Sequence, residues 1–122
     1  MDPDDSINVL GGTLAICGID PMTGFFRDGH CNTCAADQGS HTVCAVMTEE
    51  FLAFSKYVGN DLSTPRPEYR FAGLKPGDRW CLCAARFLQA ADEGCAPKVS
   101  LEATHQRALD IIPLNVLEKH AE

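Results

Sequence analysis

The chain has 122 residues, of which 45% are hydrophobic and 22% are charged, a composition typical of one soluble globular domain. Acidic residues outnumber basic residues 17 to 10, and the formal net charge is −7. A surface of this sign repels phosphate backbones and anionic lipids, so the composition argues against nucleic-acid binding and membrane binding.

The cellular compartment is predicted from the same overview. No apolar run approaches the length of a membrane span, and the acidic start lacks the basic and then apolar order of a secretory signal. We therefore expect a cytoplasmic protein. The seven cysteines are an odd number, and the cytoplasm is reducing, so we do not expect a stable disulfide framework. Buried thiols, metal ligands and redox-active thiols are the alternatives.

The first third of the chain is rich in turn residues. We expect residues 1–7 to be a flexible lead and residues 8–122 to form a single α+β domain. The stretch TLAIC (residues 13–17) predicts a short strand. The Asp28-Gly29 pair, between two possible strands, predicts a hairpin.

The middle of the chain predicts a strand followed at once by a helix. TVCAVM (residues 42–47) alternates in the manner of a strand. Thr48 stands where it can cap a helix that Gly59 ends. Residues 60–78 hold three prolines and two glycines with little periodicity, which predicts a long ordered loop.

The same strand-then-helix pattern recurs further along the chain. RWCLC (residues 79–83) predicts a strand, with Trp80 and Leu82 on one face and the two cysteines on the other. An amphipathic helix follows from residue 84 to Gly94, then a strand in KVSLEA and a short helix from Leu114. The predicted class is α+β: a small mixed or antiparallel sheet with helices packed on one face, in two layers.

Several strings resemble those of a family of small, mostly bacterial proteins, catalogued as domain of unknown function 2237. They are NVLGG, SHTVCAVMTEEFLAFS, GNDLSTPRPEY, LKPGDRWCLCAARF and LEATHQRAL, and the resemblance runs from Asn8 to His120. It implies a compact α+β domain and no established reaction. The family's pattern is matched at Cys17, Cys31, His41, Cys44, Cys81, Cys83 and His105, whereas His30, Cys34 and Cys95 are additions.

One hypothesis for the Cys- and His-rich stretch is a structural zinc site. Such a site takes four N or S ligands from two short pairs. Cys31-x-x-Cys34 is one pair, and His41-x-x-Cys44 is a second. The linker between the pairs is short, and the match at Cys34 lies outside the family pattern, so zinc is possible as a cofactor but not favoured.

The favoured hypothesis is a pocket lined by Cys and His that binds or transforms a small molecule. Cys44 and Cys83 are the candidate thiols, and His41 and His105 are the candidate bases. We expect Cys44, His41 and at least one of Cys81 and Cys83 to lie together at one end of the sheet. The alternative for each cysteine is packing in the core, the commoner fate of a thiol.

The long loop supplies candidate ligand-binding residues. Asp61 and Arg66 are candidate polar anchors for a ligand, and the prolines around Arg66 hold its guanidinium in place. Cys81, outside the loop, is a third candidate ligand-binding residue. Capping and ion pairs within the loop are the alternative. A third hypothesis is a non-catalytic interaction module that presents Pro67, Tyr69 and Phe71 to a protein partner.

Overall fold

A computed structural model describes residues 6–122 of the chain. Its strands are β1 (Val43–Val46), β2 (Arg79–Leu82) and β3 (Lys98–Val99), and its α-helices are α1 (Glu49–Tyr57), α2 (Ala84–Asp92) and α3 (Leu114–Lys119). Three 3-10 helices span Pro67–Tyr69, Leu101–Ala103 and Gln106–Asp110. The α+β class predicted from the sequence is confirmed.

The three strands form one antiparallel sheet in the order β2-β1-β3. The two strands predicted from TVCAVM and RWCLC are therefore neighbours, as expected. Their register places Cys44 opposite Cys81 and Ala45 opposite Trp80. Because side chains alternate along a strand, the two cysteines point to one face of the sheet and Ala45 points to the other.

Helices α1 and α2 cover the face of the sheet that carries Val43 and Ala45. Thr48 caps α1 as predicted, since its hydroxyl accepts a hydrogen bond from the Phe51 N–H at 3.1 Å. Phe51 of α1 and Phe87 of α2 are buried in the main hydrophobic cluster with the strand residues. The periodic patterns of the sequence therefore place the main core correctly.

The opposite face of the sheet is covered by the N-terminal segment, residues 13–34, which was predicted less well. Neither the strand expected at residues 13–17 nor the hairpin expected at Asp28-Gly29 forms, and the segment has isolated bridges, turns and single backbone hydrogen bonds in their place. Gly29 accepts a hydrogen bond from the Cys17 N–H at 2.7 Å and makes a turn instead. The segment is short of apolar periodicity, so its shape depends on what it packs against.

Two disulfide bonds fix this segment to the sheet. Cys17 is bonded to Cys44, with Cα atoms 5.7 Å apart, and Cys31 is bonded to Cys81, with Cα atoms 5.3 Å apart. The expectation that the chain has no disulfide framework is therefore wrong. Neither the odd number of cysteines nor the predicted compartment indicates which cysteines lie close together in the folded chain. Four of them do so here.

The remaining segments follow the predicted order with shifted ends. KVSLEA forms a strand of only two residues before it turns into a 3-10 helix, and the long loop is irregular apart from Pro67–Tyr69. Of the expected flexible lead, residues 1–5 lie outside the described residues, and the Ser6 hydroxyl donates to Asn32 Oδ1 at 2.7 Å. Among the described residues, no helix has both the length and the apolar character that a membrane crossing requires.

Candidate functional site

A cavity of about 450 Å³ opens where β2 ends and α2 begins. Its volume lies within the range of small-molecule sites. Its lining combines reactive, cationic and aromatic side chains with small, polar and apolar ones. The lining residues are Thr23, Gly24, Phe25, Arg27, His41, Asn60, Leu62, Trp80, Cys81, Leu82, Cys83 and Arg86.

Cys83 presents the one reduced thiol in this lining. It is the residue that precedes the first turn of α2, it is half-buried, and it takes no part in a disulfide. The helix starts at Ala84 and therefore takes Cys83 out of the strand face that it was expected to share with Cys81. A residue at the start of a helix is in a position where proteins often place reactive thiols.

His41 also lines the cavity, and a buried carboxylate holds its ring. Nδ1 of His41 lies 2.7 Å from Oδ1 of Asp37, whose side chain is fully buried. The other carboxylate oxygen of Asp37 accepts hydrogen bonds from the Thr33 hydroxyl at 2.9 Å and from the His41 N–H at 3.0 Å. A carboxylate oxygen can only accept a hydrogen bond, so the neutral His41 ring carries its hydrogen on Nδ1. Nε2 then has a lone pair that can accept a proton.

Two arginines give the cavity a positive side that the sequence prediction did not include. Arg27 has a left-handed backbone, with φ of 54°, and its guanidinium carbon lies 5.5 Å from the centre of the Trp80 ring. Arg86 lies in the first turn of α2, and one of its guanidinium nitrogens donates to Gln89 Oε1 at 3.2 Å. Guanidinium groups bind carboxylates and phosphates with two parallel hydrogen bonds.

Cys44 and Cys81, two of the candidate site residues, lie in disulfides. Cys44 is fully buried and bonded to Cys17, and it does not reach the cavity lining. Cys81 is 2% exposed, is bonded to Cys31 and contributes to the lining. The expected grouping is thus present in part: His41, Cys81 and Cys83 share the cavity, and Cys44 stands opposite Cys81 on the covered side of the sheet.

His105, the second candidate base, is fully buried away from the cavity lining. Its Nδ1 accepts a hydrogen bond from the Arg107 N–H at 3.0 Å, and its backbone N–H donates to Thr42 O at 2.9 Å. These contacts start the 3-10 helix at Gln106 and attach it to Thr42, the residue before β1. The contacts of His105 therefore support the local fold and do not place it in the cavity.

Asp61 and Arg66, the candidate anchors, lie outside the cavity lining. Asp61 closes a turn: its carboxylate accepts from the Thr64 hydroxyl at 2.6 Å and from the Ser63 N–H at 2.9 Å. The hydrogen bond from Thr64, followed by that from Ser63, lowers the pKa of Asp61 below its ordinary value of 3.8. Arg66 is exposed and pairs through its backbone with Phe71.

The four residues of the sequence-derived zinc hypothesis are distributed differently. Cys31 and Cys44 belong to different disulfides, Cys34 is a buried thiol outside both, and His41 faces the cavity. Within residues 6–122, three cysteine sulfurs do lie within 4.8 Å of one another, but they belong to Cys17, Cys31 and Cys81. That set shares only Cys31 with the predicted one.

Sequence reasoning missed Asp37, Arg27 and Arg86 as site residues. Asp37 stands four positions before His41 in a turn-rich stretch, and that spacing was the available signal for the pair. Arg27 follows two phenylalanines and precedes the Asp-Gly turn, where nothing in the pattern shows which way it points. Arg86 is a charged residue of an amphipathic helix, which predicts a place on its polar side and does not show that this side borders the cavity.

One family model matches the chain over residues 7–121, and its description reads "Uncharacterized protein conserved in bacteria (DUF2237)". The match spans nearly the whole chain and agrees with the resemblance seen in the sequence. No curated protein matches the chain.

Proposed function

Because the chain belongs to this bacterial family, whose description names no activity, we propose from the cavity itself that the protein binds a small anionic molecule beside Cys83 and acts on it through that thiol. The observation that carries the proposal is the composition of one lining: a reduced thiol, an imidazole and two guanidinium groups in about 450 Å³. Each of these groups has a distinct part in such chemistry.

The nucleophile is Cys83, and His41 is the proton acceptor. A thiol attacks as its thiolate, so a nearby base raises its effectiveness. Asp37 orients the His41 ring and leaves Nε2 as the accepting atom. The buried contacts of Asp37 with Thr33 and the His41 backbone keep that ring in one orientation, which is what a proton acceptor needs.

Arg27 and Arg86 define the class of ligand. The chain as a whole carries a net charge of −7, so two guanidinium groups at one cavity stand out against an acidic surface. They favour a carboxylate or phosphate group on the ligand. The rings of Phe25 and Trp80 border the same space and offer an apolar surface for the rest of the molecule.

The proposal is tested by the reactivity of Cys83 toward a charged and a neutral reagent of the same size. Iodoacetate and iodoacetamide would be applied separately to the disulfide-intact protein, and the label located by mass spectrometry. Relative to Cys95, a half-buried cysteine outside the cavity, Cys83 should prefer iodoacetate. The double variant Arg27→Gln/Arg86→Gln should remove that preference and leave Cys95 unchanged.

The role of His41 is measured with the neutral reagent. His41→Gln should slow labelling of Cys83 and not of Cys95, and Asp37→Asn should act in the same direction through the ring. If Cys83 stays unlabelled until the protein unfolds, it is a packing residue and the proposed chemistry fails. If the ratio of iodoacetate to iodoacetamide labelling is the same at Cys83 and Cys95, the proposal that the ligand is anionic fails.

A second candidate function is supported by the exposure of Tyr69. Its side chain is 78% exposed on the 3-10 helix Pro67–Tyr69, in a loop that the Arg66–Phe71 backbone pair closes. Phe71 is only half-buried and packs against Trp80, with ring centres 5.5 Å apart. An exposed tyrosine on a braced loop suits contact with a protein partner.

The matched control for this candidate is Tyr57, which is 88% exposed on α1. A partner that the wild-type protein captures by crosslinking from bacterial extract should still be captured by the Tyr57→Ala variant and should not be captured by the Tyr69→Ala variant. A partner that binds both variants equally, or no captured partner at all, would count against the interaction module.

A further inference from the structure

We infer that the four buried cysteines Cys17, Cys31, Cys44 and Cys81, hereafter the sulfur cluster, form a binding site for a thiophilic divalent ion such as zinc when both disulfides are reduced. All four residues are at most 3% exposed, and they pack together with Ala15 and Ala103. The inference concerns the covered face of the sheet, and it is independent of the chemistry proposed for Cys83.

The sulfur positions are close to those of a metal thiolate site. The sulfurs of Cys17, Cys31 and Cys81 all lie within 4.8 Å of one another. The sulfur of Cys44 lies outside that group and is bonded to that of Cys17. A tetrahedral zinc site with Zn–S bonds of about 2.3 Å has its sulfurs about 3.8 Å apart. Reduction breaks both S–S bonds and lets the bonded sulfurs separate toward that spacing.

The backbone holds two of the ligands firmly. Cys44 and Cys81 are opposite each other on paired strands, and their N–H groups donate to the hydroxyls of Thr104, at 3.1 Å, and Thr23, at 2.8 Å. The pairing of β1 with β2 therefore keeps these two residues opposite each other whether or not the disulfides are present.

The other two ligands come from a segment that can adjust. Cys17 and Cys31 lie in the N-terminal segment, which contributes no strand to the sheet and is held by turns, isolated bridges and single hydrogen bonds such as that from Ala15 N–H to Glu102 O at 2.9 Å. Such a segment can shift by the small distances that tetrahedral geometry requires. Ligands spaced 14, 13 and 37 positions apart, at residues 17, 31, 44 and 81, match no short metal-binding motif, which is why the sequence alone does not indicate the site.

The two states differ by four electrons. Each disulfide takes two electrons from a dithiol, which becomes a disulfide itself, and the two exchanges leave four cysteine thiols. When one divalent ion binds, the four thiols lose their protons to solvent and coordinate the metal as thiolates. A reducing compartment therefore favours the metal-bound form, and an oxidising one favours the two disulfides.

The experiment compares oxidised and reduced protein. The full chain would be reduced with a phosphine, which takes an oxygen from water and becomes its oxide, then freed of reagent without air and loaded with zinc. Elemental analysis after desalting should find one zinc per chain in reduced protein and none in oxidised protein. Cobalt in place of zinc should give the visible absorption of a tetrahedral thiolate site.

Alkylation maps the ligands without any substitution. Bound zinc should protect Cys17, Cys31, Cys44 and Cys81 from iodoacetamide and leave Cys83 and Cys95 open to it. Among variants, Cys34→Ser and Cys95→Ser should keep the zinc, whereas Cys17→Ala/Cys44→Ala should lose it. Circular dichroism of that double variant separates loss of ligands from loss of folding. If the variant is unfolded, the protection pattern of the wild-type chain is the deciding result.

Three results would overturn the inference. If reduced wild-type protein retains no zinc, whether or not it stays folded, the four cysteines are not a metal site. Zinc that is lost on Cys34→Ser or His41→Gln assigns the metal to the set predicted from the sequence. Protection that does not include Cys17 and Cys81 assigns it elsewhere as well.

Discussion

Cys44 and Cys81 face each other across β1 and β2, yet each is disulfide-bonded to a cysteine of the N-terminal segment and not to the other. The sheet thereby gains two covalent attachments to a segment with little regular structure of its own. The partner cysteines are 27 and 50 residues away along the chain. These two bonds add to the hydrogen bonds that attach the segment to the rest of the fold, such as that from Ala15 N–H to Glu102 O and that from Cys81 N–H to the Thr23 hydroxyl.

Removal of either disulfide should therefore destabilise the protein substantially. Cys17→Ala/Cys44→Ala and Cys31→Ala/Cys81→Ala should each lower the free energy of unfolding by about 2–5 kcal/mol. The chain-entropy model separates the two by only about 0.5 kcal/mol, because the cost of closing a loop grows slowly with its length. Urea unfolding checks both, with Cys95→Ser as the control, and a change below about 1 kcal/mol would show that the bonds do not constrain the unfolded chain.

The aromatic residues on the two sides of the main core should differ in their cost. Phe87 is fully buried, so Phe87→Ala should cost about 3–5 kcal/mol. Trp80 is only partly buried between Phe71 and Arg27, and the smaller area it hides makes about 2 kcal/mol the expected cost of Trp80→Ala. Equal unfolding midpoints for the two variants would contradict this order.

The cap of α1 should contribute in proportion to one hydrogen bond. Thr48→Ala removes the acceptor for the Phe51 N–H and should lower the free energy of unfolding by about 1 kcal/mol. Thr48→Ser keeps the hydroxyl and should retain most of that stability. Thermal unfolding of the two variants side by side makes the measurement, and an equal loss in both would assign the effect to the threonine methyl group.

The dependence of stability on pH should show a step near neutrality that His120 causes. Burial, and then the charges of Lys119 and Lys98, lower the pKa of His120 below its ordinary 6.5. Between the lowered value and 6.5 the unfolded chain binds more protons, so stability rises with pH across that window and falls as pH drops through it. His120→Gln should flatten the step in unfolding midpoints measured from about pH 8 to about pH 5.

A second, more acidic window belongs to Asp61 and serves as the control. Its lowered pKa contributes stability that is present above its ordinary 3.8 and is lost as pH falls through the folded value. Asp61→Asn should therefore change the acid end of the curve and leave the step near neutrality in place. If His120→Gln alters only the acid end, the assignment is wrong.

The parts of the fold that the sequence predicted are those with a local period. TVCAVM and RWCLC alternate, and the residues after each have helical spacing, so β1, α1, β2 and α2 follow from nearest neighbours. The N-terminal segment has no such period, and the strand expected at residues 13–17 fails because its residues pack against a sheet face defined far along the chain. Disulfide pairing is likewise a property of the folded chain.

The candidate site was predicted in the same uneven way. His41 and Cys83 stand out by residue type, and both line the cavity. Asp61 was chosen for its polar surroundings, and those same neighbours consume its hydrogen bonds within a turn. Arg27 and Arg86 reach the cavity from a turn and a helix that are distant in sequence, and no local pattern relates them.

The two disulfides also change what a cut in the backbone would do. Ile19, Met22 and Phe25 are exposed between Cys17 and Cys31, and Tyr69 is exposed between Cys44 and Cys81, so these stretches offer sites to a protease. A cut in the first stretch leaves its fragments joined by Cys17–Cys44, and a cut in the second leaves them joined by Cys31–Cys81. The nicked chain would migrate as one molecule on a gel without reductant and would separate into two pieces once reductant is added.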